Sequence, residues 1–454
     1  MTIFARWSRP AQQPYKRMLP MLVALLTLSP LRALVAAESG LRLPLSIDQI
    51  LLLICALVCF GGLVLRRGRL LRLERNPTLA ATIALTAVFA IGAWTSASLS
   101  EWLKEWLKWL VMAGLIWQLS FERGGRWRWM VYAVAVAAAG NALVGLYIFL
   151  GGSGADHLLI LGRFYRAFGT FGQPNPFGGF MGIVLPVCSM AAWGRASQLW
   201  ANWRAGIPVN AVQIAQLLAW TASALLLAAA LLASWSRGAW LGTAFAALVL
   251  VIALPRQLRH GLLLALTAVV LIVALWQAGI LPNALVARLT SSVGDLVSIN
   301  DVRGLDAHAG NYAVIERLAH WQAAVEMARD YPFFGVGLGN YSVRYAHYRL
   351  INWHLPLGHA HNTYLNLLAE TGMVGLLAYL VYWAIMLRIC WSLRRHPDAF
   401  ARSLGVGLLG CWSYLAAHSF FDYLFVNTLF LHIGVLLGVQ AILHRQTQSA
   451  LQLE

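Results

Sequence analysis

Long apolar runs are the feature of this sequence that most restricts its fold. Each run has about 20 residues, which is the length of a helix that crosses the hydrocarbon core of a bilayer. Hydrophobic residues make up 60% of the chain and charged residues 11%, too few charges to cover a soluble protein. The sequence therefore predicts an all-α integral membrane protein with about twelve transmembrane helices. The predicted spans lie near residues 18–37, 47–65, 78–98, 103–120, 128–150, 170–193, 211–234, 236–254, 260–281, 362–391, 402–423 and 427–444.

The basic residues indicate how these spans are oriented. Of the 34 Lys and Arg residues, 21 lie in short loops and tails on one side of the predicted bundle. Short cytoplasmic loops are enriched in Lys and Arg, so this side, with both termini, is predicted to be cytoplasmic. The net charge of +17 then reflects loop charge and attraction to membrane lipids, not nucleic-acid binding. The chain divides into residues 1–281 with nine spans, a loop domain at 282–361, and residues 362–454 with three spans and a tail.

The loop domain at 282–361 is the one long polar interruption, and it faces away from the cytoplasm in this topology. It holds six arginines, six acidic residues and six of the twelve histidines, and loops of this length usually have a function. A helix is predicted from Tyr312 to Asp330, because apolar residues recur there at intervals of three and four. They form one stripe of Val314, Leu318, Trp321, Val325 and Ala328. Phe333–Gly339 predicts a tight turn packed against the bundle. His361 closes the segment, where a neutral imidazole could accept a proton or could simply cap the next helix.

Arginines and amides collect on the same outer face. Arg237 lies in a short outer turn between two apolar runs. A charge there must pair with an anion, extend its side chain to the membrane–water interface, or line a hydrated cavity. Guanidinium groups make planar, bidentate contacts with phosphate. We therefore expect a site at the membrane edge for an anionic, lipid-linked substrate, such as a phosphate or pyrophosphate. The candidate binding residues of this face are Arg163, Arg166, Gln173, Asn175, Arg237, Arg317, His359, His361 and Asn362.

Two motifs of the chain resemble those of the O-antigen ligase (WaaL) and O-antigen polymerase superfamily. Arg237-Gly-Ala-Trp-Leu241 is similar to the family's Arg-x3-Leu motif in an outer loop. His361-Asn362, nine further residues and Gly372-x2-Gly375 are similar to its His-Asn-x9-Gly-x2-Gly signature. Arg317 looks like the second arginine of the family's large periplasmic loop. The order, spacing and predicted compartment of these residues make the combined resemblance specific.

This resemblance, which covers residues 160–380, implies a GT-C-like glycosyltransferase of the bacterial inner membrane with a periplasmic active site. Such an enzyme transfers a glycan from undecaprenyl pyrophosphate to a hydroxyl of lipid A–core oligosaccharide and inverts the anomeric centre. His361 would be the general base, and Arg237 and Arg317 would hold the diphosphate and stabilise the leaving group. The donor carries its own activated bond, so neither ATP nor another cofactor is expected.

The spacing of the acidic residues in the outer loop also favours a metal-independent reaction. Asp295, Asp301 and Asp306 are spaced five or six residues apart and do not form a DxD-type acidic pair. We interpret them as solvated loop residues, and the sequence predicts no metal site.

Three alternative functions remain open. A Wzy-type polymerase would transfer the same glycan to a second lipid-linked repeat. A protein O-oligosaccharyltransferase would transfer it to Ser or Thr and usually carries more chain after the histidine motif, although the Gly172-Gln-Pro-Asn175 stretch also occurs in such sequences. A transporter of lipid-linked substrates would place charges inside its spans or show two repeated halves, and Asp422, near the outer end of the eleventh span, is the candidate interior charge. The two spans and short tail after His361 favour the ligase.

Overall fold

A computed structural model describes residues 53, 54, 57 and 61 and residues 76–452, with gaps at 123, 153, 155, 283–285, 289–300 and 306–310. The predicted spans at 18–37 and 47–65 lie outside this part, apart from those four residues. The described chain is mostly helical and has almost no sheet, which confirms the all-α class. The ten remaining predicted spans each coincide with a helix.

The helices of the described part are connected mainly by short segments. Short 3-10 turns at Asp156–Leu158 and Leu393–Arg395 and a hairpin of β1 (Leu159–Ile160) and β2 (Phe164–Tyr165) complete the structure. The α-helices are α1 (Pro77–Ile91), α2 (Leu99–Leu119), α3 (Trp127–Phe149), α4 (Pro174–Arg204), α5 (Ala211–Ala233), α6 (Arg237–Ala253), α7 (Leu258–Gln277), α8 (Tyr312–Asp330), α9 (Tyr341–Tyr348), α10 (Thr363–Ser392), α11 (Ala399–His418) and α12 (Leu429–Leu451).

Six helices of the described part are long and apolar enough to cross a membrane. They are α3, α4, α5, α7, α10 together with its 3-10 extension, and α12. The apolar helices α1 and α6 are shorter, with 15 and 17 residues, so the count of twelve spans stays a prediction. The outer end predicted for the eleventh span is wrong. Helix α11 ends at His418, and Asp422 lies in the segment that follows it.

Helix α4 forms the centre of the bundle and packs against α5, α6 and α11, while α12 packs along α2. Because α4 is in contact on several sides, most of its residues from Pro174 to Ala191 are buried. Helix α7 makes its main contacts with α6 and exposes most of its Leu, Ile and Val side chains. In a membrane, lipid tails would cover this surface at little cost.

Helix α8 has the bounds that the sequence predicted, from Tyr312 to Asp330, but its buried surface is wider than the predicted stripe. The predicted residues Val325 and Ala328 are only half-buried, whereas Ala323 and Met327 are fully buried. The reason is that α8 lies between two apolar clusters. One includes Tyr341 of α9 and Ala369 of α10, and the other includes Val302.

The glycine-rich stretch after α8 packs into a break in α10. Gly372 interrupts α10 with a φ of 62°. Beside it, the Val336 N–H donates to the Ala369 carbonyl at 2.9 Å and the Gly337 N–H donates to the Glu370 carbonyl at 2.8 Å. A Cβ at Gly372 would clash with the backbone carbonyl carbon of Phe333. The tight turn predicted for this stretch is confirmed, and the first glycine of the histidine motif is the residue that lets two backbones meet.

Gly372→Ala should therefore destabilise the protein strongly. Its φ of 62° and ψ of −167° define a backbone region that essentially only glycine occupies, which alone costs an alanine about 1–3 kcal/mol, and the clash with Phe333 adds to it. We expect a clear drop in the thermal unfolding midpoint of the detergent-purified protein. Gly140→Ala is the matched control, because a Cβ at Gly140 in α3 meets nothing within 4 Å, and alanine is a better helix former there. Equal midpoints for the two variants would contradict this account of Gly372.

Candidate functional site

A small cavity of about 70 Å³ lies where α6 and α8 begin. We call it the arginine cavity, because four of its lining side chains are arginines that are far apart in sequence. Its small volume suits a phosphate group better than a sugar chain. The lining residues are Arg166, Asn175, Arg237, Gly238, Leu241, Arg288, Ala313, Val314, Arg317, Trp321 and Phe421.

Two of these arginines are fixed by the turn between α5 and α6. The Arg166 Nε donates to the Ser234 carbonyl at 3.1 Å, and Arg288 Nη2 donates to the Trp235 carbonyl at 3.2 Å. Arg166 Nη2 also donates to Asn175 Oδ1 at 3.3 Å. Trp235 adopts a φ of 53°, a conformation that is uncommon for a bulky residue and is usually maintained at functional sites. The turn therefore positions guanidinium groups from two separate segments.

Helix α6 approaches the cavity with its amino end. Arg237 is the first residue of α6, and the backbone N–H groups of a helix amino terminus attract anions. A Cβ at Gly238 would lie 2.7 Å from the Phe421 Cβ and 3.2 Å from the His418 Cδ2. Only glycine at position 238 allows the amino end of α6 to lie this close to Phe421. This contact brings the segment after α11 to the arginine cavity.

Burial and repulsion between the arginines lower the pKa values of two of them. Burial, together with the charges of Arg288, Arg317 and Arg237, lowers the pKa of Arg166 to about 9. Burial and the charges of Arg237 and Arg317 lower the pKa of Arg288 to about 10. Both groups remain cationic at neutral pH, so the four arginines concentrate positive charge in the cavity. A bound anion would relieve this repulsion.

His361 and Asp422 form a pair beside the arginine cavity. His361 Nδ1 lies 3.2 Å from Asp422 Oδ1, and Asp422 directly follows Phe421 of the cavity lining. Burial raises the pKa of the Asp422 carboxyl, but the hydrogen bond with His361 and the nearby histidines outweigh it and leave the pKa below its usual range. The carboxylate is therefore ionised and accepts the proton on Nδ1, which leaves Nε2 of His361 able to accept a proton.

The backbone around this pair is fixed by the start of α10. Thr363 N–H donates to the Ser419 carbonyl at 2.8 Å, and Thr363 Oγ1 donates to the Asp422 carbonyl at 2.9 Å. Asn362 caps α10, because its Oδ1 accepts from the N–H groups of Tyr364 and Leu365. His361 itself has a φ of 51°, a strained conformation for a residue with a Cβ. These contacts hold the imidazole against Asp422 independently of any substrate.

Two further histidines surround His361. The rings of His359 and His320 lie 4.5 and 6.0 Å from it between centroids. Burial lowers the pKa of His359 to about 4 although Asp422 acts in the opposite direction, and burial with the charges of His361 and His359 lowers the pKa of His320 to about 4. Both are neutral at pH 7. His320 is fixed by Tyr341, whose OH lies 2.8 Å from its Nδ1 and donates to its carbonyl at 3.1 Å.

The structure brings together most of the residues that the sequence indicated. Arg166, Asn175, Arg237 and Arg317 line the arginine cavity, and His359 lies against His361. The other candidates do not line this cavity. Arg163 is exposed and stacks over Phe164, Gln173 is exposed before α4, and Asn362 is buried in its capping role.

One group of side chains in the described chain could offer metal ligands. Ligand atoms of His359, His361 and Asp422 lie within 4.8 Å of one another. Two of these donors already have partners inside the group. His361 Nδ1 pairs with Asp422, and His359 Nδ1 accepts from the His361 N–H at 3.2 Å. The geometry is that of a hydrogen-bonded histidine–carboxylate pair.

Comparison with known protein families identifies the central part of the chain. Residues 222–380 match the O-antigen ligase family model. The match confirms the family resemblance seen in the sequence and includes Arg237, Arg317 and His361, whereas Arg166 and Asp422 lie outside it. Members of this family are membrane glycosyltransferase-like enzymes, and the domain supports a ligase- or polymerase-type function in O-antigen processing. No curated protein matches the chain significantly.

Sequence reasoning missed three residues of this site. Arg288 lies in the loop domain without a motif, and nothing in its surroundings distinguishes it from five other arginines there. Asp422 was noticed only as a charge in a predicted span, because its partner is 61 positions away. His320 follows Arg317 by three residues in α8, and its burial depends on α9. Only the tertiary structure brings these three to His361 and the cavity.

Proposed function

We propose that this protein ligates an O-antigen glycan from undecaprenyl pyrophosphate onto lipid A–core oligosaccharide at the periplasmic face of the inner membrane. The observation that carries the proposal is that the His361–Asp422 pair adjoins a cavity lined by four arginines. A base beside a polycationic cavity matches the chemistry of transfer from a diphosphate donor to a hydroxyl. The family match supports the same class of reaction.

In the proposed reaction, Nε2 of His361 removes the proton from the acceptor hydroxyl. The oxygen attacks the anomeric carbon of the donor sugar as the bond from that carbon to the diphosphate oxygen breaks. Attack from the side opposite the leaving group inverts the anomeric centre. Asp422 stabilises the imidazolium that forms, and Arg237, Arg317, Arg166 and Arg288 stabilise the negative charge on the departing undecaprenyl pyrophosphate.

Polymerase and protein O-oligosaccharyltransferase functions would use the same donor and the same two groups of residues. They differ from the ligase in the acceptor alone. Transport is supported less well, because the outer ends of α6, α8 and α10 hold the polar cluster and a transporter is expected to bind its substrate near the middle of the membrane.

The acceptor distinguishes these functions. Purified protein should be supplied with undecaprenyl-pyrophosphate glycan and, in separate reactions, with lipid A–core oligosaccharide, a second lipid-linked repeat, or a serine-containing peptide. The ligase proposal predicts transfer to lipid A–core and not to the other two, measured by a mobility shift and mass spectrometry of the product. Transfer only to the lipid-linked repeat would show a polymerase, and transfer only to peptide would show an oligosaccharyltransferase.

Metal removal should leave transfer unchanged. The donors of His359, His361 and Asp422 are hydrogen-bonded to each other, and the four arginines supply the positive charge that a metal would otherwise provide. Treatment with excess EDTA, followed by dialysis, should not alter the initial rate. A loss of rate that Mg²⁺, Mn²⁺ or Zn²⁺ restores would show that these three residues bind a metal after all.

A further inference from the structure

A second and much larger cavity, of about 970 Å³, lies at the other end of the bundle. The carboxyl ends of α4, α6 and α10 and the amino end of α11 form its walls. Because the amino ends of α4, α6 and α10 belong to the arginine cavity and the His361 site, this cavity lies on the side predicted to be cytoplasmic. We call it the inner pocket. Its cationic lining consists of Arg256, Arg388, Arg394, Arg395 and Arg402.

Two of the five arginines build the walls of the inner pocket. Arg394 donates to the backbone carbonyls of Ala253 and Pro255, at the end of α6. Arg402 donates to the His396 carbonyl at 3.0 Å. These bonds tie the segment after α10 to α6 and to α11 and hold the walls of the pocket together.

The other three arginines remain available to a ligand. Arg256, Arg388 and Arg395 are exposed, and among the described residues none of them has an acidic side chain within ion-pair distance. Three like charges around one concave space repel each other unless an anion enters it. The pocket therefore offers a preformed site for a group with negative charge, and guanidinium fits phosphate in particular.

Tryptophans place the inner pocket at the depth of lipid headgroups. Trp193 of α4 and Trp391 of α10 line it with 54% and 37% of their surface exposed. Exposed tryptophans on membrane helices favour the interface between hydrocarbon and water. Arg394 lies 4.2 Å from the Trp391 ring, so the aromatic and the cationic parts of the lining are continuous. An occupant could contact both the headgroup-binding arginines and the apolar surface beside them.

We propose that the inner pocket binds the phosphate headgroup of an anionic phospholipid of the cytoplasmic leaflet. Basic pockets between transmembrane helices on this side bind such headgroups. The lipid would bridge α4, α6, α10 and α11, the helices whose opposite ends carry the arginine cavity and His361. The binding is independent of the proposed transfer reaction and can be measured without a glycan donor.

The test compares lipids on the detergent-purified full-length protein. Phosphatidylglycerol and zwitterionic phosphatidylcholine should be titrated in parallel, with bound lipid counted by native mass spectrometry. We expect phosphatidylglycerol to bind at least about ten-fold more tightly, because each arginine near an anionic headgroup adds to the attraction. The triple variant Arg256→Gln/Arg388→Gln/Arg395→Gln should lose this preference.

A matched variant separates the pocket from general surface charge. Arg126, Arg204 and Arg259 are also exposed, lie at the same end of the bundle and do not line the pocket. Arg126→Gln/Arg204→Gln/Arg259→Gln removes the same charge and should keep the preference for phosphatidylglycerol. Equal losses in the two triple variants would overturn the proposal, as would equal binding of the two lipids by the unmodified protein. Displacement of the lipid by millimolar inorganic phosphate would instead indicate a site for a soluble anion and would also overturn it.

Discussion

His361→Ala should reduce transfer to lipid A–core at least about 100-fold, because a general base contributes about 10²–10⁴-fold to a rate. The imidazole is the group that can take the acceptor proton, and its Nδ1 is already committed to Asp422 at 3.2 Å. The amount of folded protein should not change, since the start of α10 is held by Thr363 and Asn362. Initial rates should be measured at saturating donor, with protein quantified by size-exclusion chromatography.

His347→Ala serves as the control for this experiment. His347 lies in α9 of the same loop domain and is exposed, so its loss should leave the rate within two-fold of the original, roughly the effect of a neutral surface change. Full activity of His361→Ala would remove this residue from the proposed mechanism. An inactive but unfolded variant would be recognised by its chromatographic profile, and His361→Gln, which keeps a side chain of similar length, would then replace it.

Asp422→Asn tests whether the carboxylate positions His361 and stabilises its cationic form. An amide cannot stabilise the imidazolium by charge, so kcat should fall while the protein stays folded. The loss should appear in kcat rather than in KM, because the imidazolium forms only as the acceptor proton is removed. An unchanged kcat in the folded variant would show that Asp422 has only a structural role.

The sequence predicted most of the helices in the described part of the chain but not the assembly of the site. The bounds of α8 follow from local spacing and from Pro332, which ends the helix, and the structure has the same bounds. Its buried face could not be derived in the same way. The clusters that contain Tyr341 and Val302 bury α8 on two sides, whereas a single apolar stripe in the sequence predicts only one buried side.

The parts of the site that could not be predicted depend on pairs of residues that are distant in sequence. His361 carries a recognisable motif, whereas Asp422 has no motif of its own and lies inside a predicted span that in the structure ends at His418. Arg237 could be expected at an outer site because its charge interrupts an apolar region. Arg288 could not, because a charged residue in a polar loop is ordinary and only its hydrogen bond to the Trp235 carbonyl shows its role. A charged residue in an apolar stretch can be recognised from sequence, whereas a charged residue that reaches the site only through folding cannot.

Arg237→Gln and Arg317→Gln should each reduce kcat by about 10²–10³-fold, the usual cost of losing one group that stabilises developing negative charge. Both side chains line the cavity where the diphosphate is proposed to bind. Since the charge on the leaving group is greatest in the transition state, kcat should fall more than KM rises. Lysine at either position should restore only part of the rate, because an ammonium group cannot make the bidentate contact of a guanidinium.

Helix α8 supplies the matched control for the arginine cavity. Arg329 lies in its last turn, is exposed and pairs with Glu326 at 2.5 Å, so Arg329→Gln removes the same charge from the same helix outside the cavity. It should leave kcat and KM nearly unchanged. The double variant Arg237→Gln/Arg317→Gln should lose less than the product of the single losses, because groups that bind one diphosphate act as a unit. Equal effects of Arg317→Gln and Arg329→Gln would show that α8 contributes only long-range charge, and the cavity would then lose its proposed role in stabilising the leaving group.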